Sequence, residues 1–466
     1  MDRIKIISKT QSLCPVCLKK VGAQIYNQGS NTYMVKSCSE HGVFKTVVWK
    51  GSIPMEEWVR KKERAYIKNP ITATEKGCPF DCGLCSGHRQ HTCTALIEVT
   101  QNCNLHCSFC FADSNGCREK DPDLEQIELQ YKSVLKASGR CNIQLSGGEP
   151  TVRKDLPLII KMGTVLGFPF IQVNTNGIRM GEDESYVKAL KDAGLRSIFL
   201  QFDGTNDDIN IKLRGRELLD VKIRAIENCK KYGIGVVLVP TLVPGINLDN
   251  IGSIIDFALE HAPAVRGVHF QPVSYFGRAP STPSDKDRVT LPEVMEAIEM
   301  QTAGKIRKES LKPPGCENAL CSFHGSYLLD EKRKLMNITK RSGCGCEGGK
   351  AEEGAVKAKA YVSRNWSYRK EDHLQEKSNT VEMQGWDEIL NRIHNHSFSI
   401  SAMAFQDVWN VDLERVKDCC IHVVNPDGRL IPFCLYNLSD IEGRYLYRKR
   451  NETKEPSPCL EMRDSL

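Results

Sequence analysis

Cys103-Asn-Leu-His-Cys107-Ser-Phe-Cys110 follows directly on the apolar run Ala95-Leu-Ile-Glu-Val-Thr100, and its reading decides the fold. Cysteines at CxxxCxxC spacing can hold three irons of one [4Fe–4S] cubane, a cluster that ordinarily takes four thiolates. An iron left without a protein ligand is an open coordination site where a small molecule can bind. The triplet alone also admits a small zinc or ferredoxin-like site, so the residues around it must decide.

Downstream of the triplet the chain is regular. Apolar, β-rich runs recur at Ala95–Thr100, Ile143–Leu145, Phe170–Val173, Ser197–Phe202, Val236–Val239 and Val268–Phe270. Helical patterns separate them at Leu124–Ala137, Asp155–Leu166, Glu184–Ala193, Leu218–Tyr232 and Asn247–His261. In Leu218–Tyr232, the spacing of Leu219, Ile223, Ile226 and Cys229 predicts a sheet-facing stripe. Strand–helix alternation with right-handed crossovers gives a parallel α/β sheet or barrel. Six strands are too few for a closed eightfold barrel, so an open, partial (β/α)6 TIM barrel fits best, with a doubly wound sheet as the alternative.

Chemistry in such folds collects at the C-terminal ends of the strands. The triplet ends the first strand there. Ser146-Gly147-Gly148-Glu149-Pro150, Asn174-Thr-Asn176-Gly177, Gln201-Phe-Asp203-Gly204, Pro240–Gly245 and Gln271–Ser274 end the others. Each could be a simple turn. Two adjacent glycines, however, let backbone approach a ligand closely and leave carbonyls free to accept from an ammonium.

Upstream lie two further cysteine groups. Cys14-Pro-Val-Cys17 with Cys38-Ser-Glu-His41 offers four soft ligands in two turns, the layout of a tetrahedral zinc or rubredoxin-like iron site. Ala23–Tyr26 and Thr32–Lys36 between them read as a hairpin. Cys78-Pro-Phe-Asp-Cys82-Gly-Leu-Cys85, closed by Cys93, could ligate an auxiliary [4Fe–4S] cluster, with zinc as the competitor. Beyond residue 305, Cys316, Cys321, one of the vicinal pair Cys419/Cys420, and Cys434 are expected to form a second auxiliary cluster. Asp427-Gly428 reads as the hairpin turn that brings Cys419 and Cys434 together. Cys344 and Cys346 stay unassigned, in a polar stretch running to about Asn379. The expected domains are 1–70, a small metal-binding unit; 71–94, an auxiliary-cluster segment; 95–305, the α/β core; and 306–466, a C-terminal iron–sulfur domain.

Length and composition set the bounds. The 466 residues carry 64 basic and 58 acidic side chains, an excess too small and dispersed to imply nucleic acid. No apolar run reaches the ~18 residues of a membrane span. The opening Met-Asp-Arg-Ile-Lys lacks a signal-peptide core, so a cytoplasmic protein is expected, with peripheral membrane contact left open. The 21 cysteines are odd in number and clustered in CxxC-like groups, which points to metal ligation in a reducing compartment.

With these residues in hand, the chain resembles the radical S-adenosylmethionine (SAM) superfamily. More narrowly, it is similar to the archaeal tetraether lipid synthases and their relatives, including dihydro-hydroxymethylpterin methyltransferases. The likeness rests on CPxC…CxxHG, CPFDCGLC…TC running into CNLHCSFCFA, SGGEPTVRKDLP, LQFDG with Arg214-Gly215, Val265–Pro272, and Asp412–Arg415 through PFCLYNL. It implies that Cys103, Cys107 and Cys110 hold the catalytic cluster with SAM on its open iron. Gly147, Gly148 and Glu149 would lie against the methionine amino group, and Asn174, Asn176, Gln201 and Asp203 would bind SAM or substrate. One electron entering the sulfonium would give a 5′-deoxyadenosyl radical that abstracts hydrogen from an unactivated carbon. An electron donor such as ferredoxin or flavodoxin is implied. The expected outcome is carbon–carbon bond formation joining or alkylating lipid chains; C-methylation of a pterin or other small molecule is the alternative. The rival of another class is a non-enzymatic iron–sulfur electron carrier.

Overall fold

The computed structural model describes residues 5–60, 63–68, 70–115, 120–330, 333–339, 350–368 and 396–448. Strands β1 (Lys5–Leu13), β2 (Lys20–Gln28), β3 (Asn31–Cys38) and β4 (Gly42–Lys50) pair in sequence order as a four-stranded antiparallel meander. The expected hairpin is β2–β3. In a meander the first and third turns fall at the same end. That geometry brings the Cys14–Cys17 turn beside the Cys38–His41 turn. Ala23, Ile25, Met34 and Trp49 from this sheet join the main core alongside Met55 and Trp58, so the small unit is docked rather than tethered.

The second sheet contains β5 (Thr94–Thr100), β6 (Asn142–Gly147), β7 (Ile171–Thr175), β8 (Ser197–Gln201), β9 (Gly235–Val239), β10 (Thr241–Leu242), β11 (Val265–Pro272), β12 (Ser322–Leu329), β13 (Leu335–Asn337), β14 (Ser397–Met403), β15 (Ile421–Val424) and β16 (Leu430–Pro432). Helices Leu124–Ser138, Leu156–Val165, Glu184–Ala193, Leu219–Tyr232 and Ile251–Glu260 alternate with its strands. Their boundaries follow local chemistry. Asp123 and Gln126 form a capping box on the first. Gly194 and Gly233 end the third and fourth in the left-handed conformation that glycine adopts most cheaply.

The sheet is larger than the sequence pattern predicts. Its order is β13-β12-β14-β11-β9-β8-β7-β6-β5-β15-β16, with β10 pairing β11. From β14 through β15 every neighbouring pair is parallel, and β12 and β16 close the run antiparallel. The C-terminal segment, expected as an iron–sulfur domain of its own over 306–466, adds strands to both flanks of the same sheet. β14 is followed by only the four-residue helix Leu413–Val416, and β15 by its hairpin partner β16, so no strand–helix pattern of ordinary length marks them. The stripe on Leu219–Tyr232 also differs: Val221, Lys222, Ala225, Ile226 and Cys229 are buried, while Leu219 and Ile223 are half-buried. Among the described residues, no helix is long and apolar enough to cross a membrane. Cys344, Cys346 and about half of the polar stretch around them lie outside the described residues.

Candidate active site

The Cys103–Cys110 loop leaves the C-terminal end of β5 and is held by hydrogen bonds to its backbone from Asn115 and Arg278 rather than by its own secondary structure. Asn115 accepts the Cys103 amide at 2.9 Å and donates to the carbonyls of Cys103 and Leu105 at 3.0 and 3.2 Å. Arg278 donates to the Cys107 carbonyl at 2.9 Å, and its backbone exchanges two 2.9 Å hydrogen bonds with Cys110. Leu105 anchors the loop in a cluster with Ile178, Leu218 and Val221. All three thiols are partly exposed and line one cavity. Burial pushes the Cys103 thiol up to about 12. A donor set of three thiols facing open space fits a cluster with one free iron.

The Gly147–Glu149 turn packs against this loop. The Gly148 amide donates to the Thr100 carbonyl at 2.8 Å, and the Glu149 amide to the Asn102 carbonyl at 2.9 Å. A Cβ at Gly147 would lie 2.1 Å from the Thr100 oxygen, and one at Gly148 would lie 2.2 Å from the Asn102 oxygen. The glycines thus permit close approach of two protein backbones as well as an opening onto the cavity. Glu149 is 2% exposed, and burial raises its carboxyl. Its oxygens accept from the Thr151 amide and hydroxyl, the Thr175 hydroxyl and the Asn176 amide at 2.6–3.1 Å. It ties the ends of β6 and β7 together.

The other strand-end residues divide. Asn174 lines the cavity; its Nδ2 donates to Ser146 at 3.3 Å, and its buried Oδ1 has no partner. Asn176 donates to Asn104 at 2.7 Å, linking β7 to the cysteine loop. Gln201 presents its amide oxygen to the Arg214 guanidinium. Asp203, expected among the cofactor-binding residues, does not line the cavity. It is fully buried, forms a bidentate ion pair with Arg214 at 2.7 and 2.8 Å, and accepts from the Thr241 amide at 3.0 Å. Arg214 in turn faces Cys107 and donates to the Phe109 carbonyl at 3.3 Å. Lys222, also fully buried, sits near this pair with no hydrogen-bond partner, and burial pulls its ammonium down to about 8.

The cysteines regroup. Cys14, Cys17, Cys38 and His41 place one ligand atom each within 4.8 Å of the others, with His41 Nδ1 3.6 Å from Cys14 Sγ and 3.5 Å from Cys38 Sγ. That set fits a tetrahedral Zn²⁺. Cys78 and Cys82 are in thiol contact and Cys85 is nearby. Asp81 folds the segment by accepting the amides of Glu75, Lys76 and Gly77. Cys93, expected to close this group, instead lies with Cys316 and Cys420, all three within 4.8 Å and the Cys93–Cys316 sulfurs 2.7 Å apart. Cys419 lies near Cys434 and Cys321; Arg415 Nε reaches Cys321 Sγ at 3.0 Å, and the Gln406 amide reaches Cys434 Sγ at 3.3 Å. The expected single group of Cys316, Cys321, Cys419 or Cys420, and Cys434 is thus split in two.

The cavity holds about 1050 Å³, mostly apolar in its lining, and follows the inner face of the sheet. Cys103, Cys107 and Cys110 stand at the C-terminal ends of the strands. Cys93 and Cys420 immediately precede β5 and β15 and line the opposite end.

Residues 97–258 match the radical SAM superfamily, and residues 6–50 match the HMPTM N-terminal zinc ribbon domain. The chain is 35% identical to the 7,8-dihydro-6-hydroxymethylpterin dimethyltransferase of Methanocaldococcus jannaschii, over 97% of this chain and 96% of that protein. It is 28% identical to the GTP 3′,8-cyclase of Nautilia profundicola, over 37% of this chain and 55% of the cyclase. Among solved structures, Streptococcus suis SuiB matches with TM-score 0.37 and 17% identity, over 46% of this chain and 47% of SuiB. These relatives overturn the expectation of a lipid-chain-joining synthase: the match spanning nearly the whole chain is a pterin methyltransferase, and the shorter one is a nucleotide cyclase.

Proposed function

The chain belongs to the radical SAM superfamily and to the family of the archaeal pterin dimethyltransferase, and from that premise we propose that it is a radical SAM C-methyltransferase acting on a pterin or a related small heterocycle. The observation that carries this reading is one cavity shared by three thiols, a glycine turn and polar strand ends at its top, with a mostly apolar body below. We read the parallel run as the superfamily's partial barrel. The Cys14–His41 site is its structural zinc, and the remaining cysteine groups are sites for auxiliary clusters.

Cys103, Cys107 and Cys110 would hold the [4Fe–4S] cluster, and SAM at its open iron supplies radical chemistry by one-electron cleavage of the sulfonium. The protein's part is to bind, orient and exclude water. Arg214 offsets thiolate charge beside Cys107, and Asp203 holds that guanidinium in place. The Gly147–Gly148 backbone offers close approach, and Asn174 Oδ1 offers a buried, uncommitted acceptor at the cavity wall. The apolar lining keeps water away from a reactive intermediate. A reduced ferredoxin- or flavodoxin-type donor and a reducing cytoplasmic setting belong to the same proposal.

The test is anaerobic. Reconstituted protein with dithionite, 7,8-dihydro-6-hydroxymethylpterin and SAM, one SAM as radical source and a second as methyl donor leaving as S-adenosylhomocysteine, is expected to form 5′-deoxyadenosine and a methylated pterin by mass spectrometry, and Cys107→Ala is expected to form neither. Wild-type protein that cleaves SAM but leaves the pterin unchanged would overturn the substrate assignment.

A further inference from the structure

Midway along the cavity one histidine stands apart from the cysteine chemistry. His269 on β11 lies in register with Ser401 on β14, with Nδ1 2.8 Å from the serine oxygen. Both residues line the cavity. His269 is only 7% exposed, and burial holds its imidazole near 4, so it is neutral at physiological pH. Among the described residues Nε2 makes no hydrogen bond, and it is not among the sealed-off buried atoms, so its remaining surface opens on the cavity.

Around this nitrogen the wall is flat and apolar. Phe199 on β8 stacks on the imidazole with centroids 5.5 Å apart and planes 26° apart. β9 lies between the two strands. Strands two apart stand roughly 9.5 Å from each other, so the two side chains lean together over β9. Trp366 packs 4.9 Å from Phe199 and donates its indole N–H to Ser399 at 3.2 Å. Val237 and Val239 complete the apolar patch. Room for the Trp366 segment depends on Gly235, where a Cβ would lie 2.1 Å from the Trp366 carbonyl oxygen. His269 sits one inward-facing position below Gln271, roughly 7 Å further from the cysteine loop.

We propose that His269, oriented by Ser401 and walled by Phe199 and Trp366, binds the ring edge of a planar, uncharged heterocyclic substrate and sets its depth below the SAM end. This deepens the pterin reading and rests on it. A ring carrying N–H and C=O edges can lie on the aromatic wall and satisfy Nε2. An alkyl chain would leave that nitrogen desolvated and unpaired, which costs binding energy. A neutral imidazole also reads hydrogen-bond geometry rather than net charge.

The test uses reconstituted holoenzyme and 7,8-dihydro-6-hydroxymethylpterin in anaerobic calorimetry, comparing wild type, His269→Phe and His269→Gln. His269→Phe keeps an aromatic face beside Phe199 and is expected to weaken pterin binding about tenfold, roughly 1.4 kcal/mol. SAM affinity and the cluster EPR signal should not change. His269→Gln, which keeps a polar tip, is expected to recover part of the loss, and 5′-deoxyadenosine released per methylated product should rise in His269→Phe. Wild type that binds the pterin while His269→Phe binds it within twofold overturns this inference alone. Wild type that binds no pterin overturns the substrate reading and this inference with it.

Discussion

Cys419 and Cys420 share a peptide bond yet belong to different thiol groups: Cys420 lies with Cys93 and Cys316, and Cys419 lies near Cys321 and Cys434. Successive side chains entering an extended strand point to opposite sides, and both residues stand at the threshold of β15. The backbone reinforces the assignment, because the Cys93 amide donates to the Cys420 carbonyl at 2.8 Å. The two substitutions should therefore be separable. Cys420→Ala and Cys419→Ala are each expected to remove metal from one group and spare the other, read as distinct EPR or Mössbauer components in the reconstituted protein. Loss of the same component from both variants would mean one shared site.

Gly148→Ala is expected to disable the catalytic loop without touching a thiol. The added methyl would meet the Asn102 oxygen at 2.2 Å, backbone against backbone, with no side chain to give way. Iron in the Cys103–Cys110 site and 5′-deoxyadenosine formation should fall at least about tenfold, consistent with overpacking costs of roughly 1–3 kcal/mol. Normal iron content with normal turnover would show that the turn yields.

Asp203→Asn removes the charge that faces Arg214 in a pair with both side chains almost wholly buried. Breaking one partner of a buried ion pair typically costs about 3–5 kcal/mol. A stability loss of that order by chemical denaturation is expected, with SAM cleavage reduced because Arg214 also faces Cys107. A loss below about 1 kcal/mol would place the pair in a more solvated setting than its burial implies.

The imidazole of His269 is lowered by burial from 6.5 to about 4. The unfolded chain then binds more protons than the folded one between those values, so the stability tied to a neutral His269 is present above 6.5 and lost as pH falls toward 4. His269→Gln carries no such penalty. Its stability relative to wild type should improve by up to roughly 3 kcal/mol between pH 6.5 and pH 4. Parallel pH profiles for the two proteins would refute a buried neutral histidine.

What the sequence determined by itself is most of what short spacing carries, the grouping of Cys93 excepted. The CxxxCxxC triplet, the SGGEP turn and the strand–helix alternation are local, so the parallel core and its reactive end could be read directly. The Cys14–His41 site was equally legible, because the hairpin read between its two turns returns both turns to one end. Tertiary structure decided what depends on pairing across long separations. Cys93 meets Cys316 across 223 residues, and His269 meets Ser401 across 132. No local pattern favours those partners over several others, since the cysteines downstream of residue 305 can be combined in many ways. Strand register chooses among them: β15 alongside β5 delivers Cys420 to Cys93, and β14 alongside β11 sets Ser401 against His269. The role of Asp203 was hidden for the same reason. A carboxylate at a strand end serves a ligand or a neighbouring cation, and only the packed fold, by placing Arg214 against it, chose the cation.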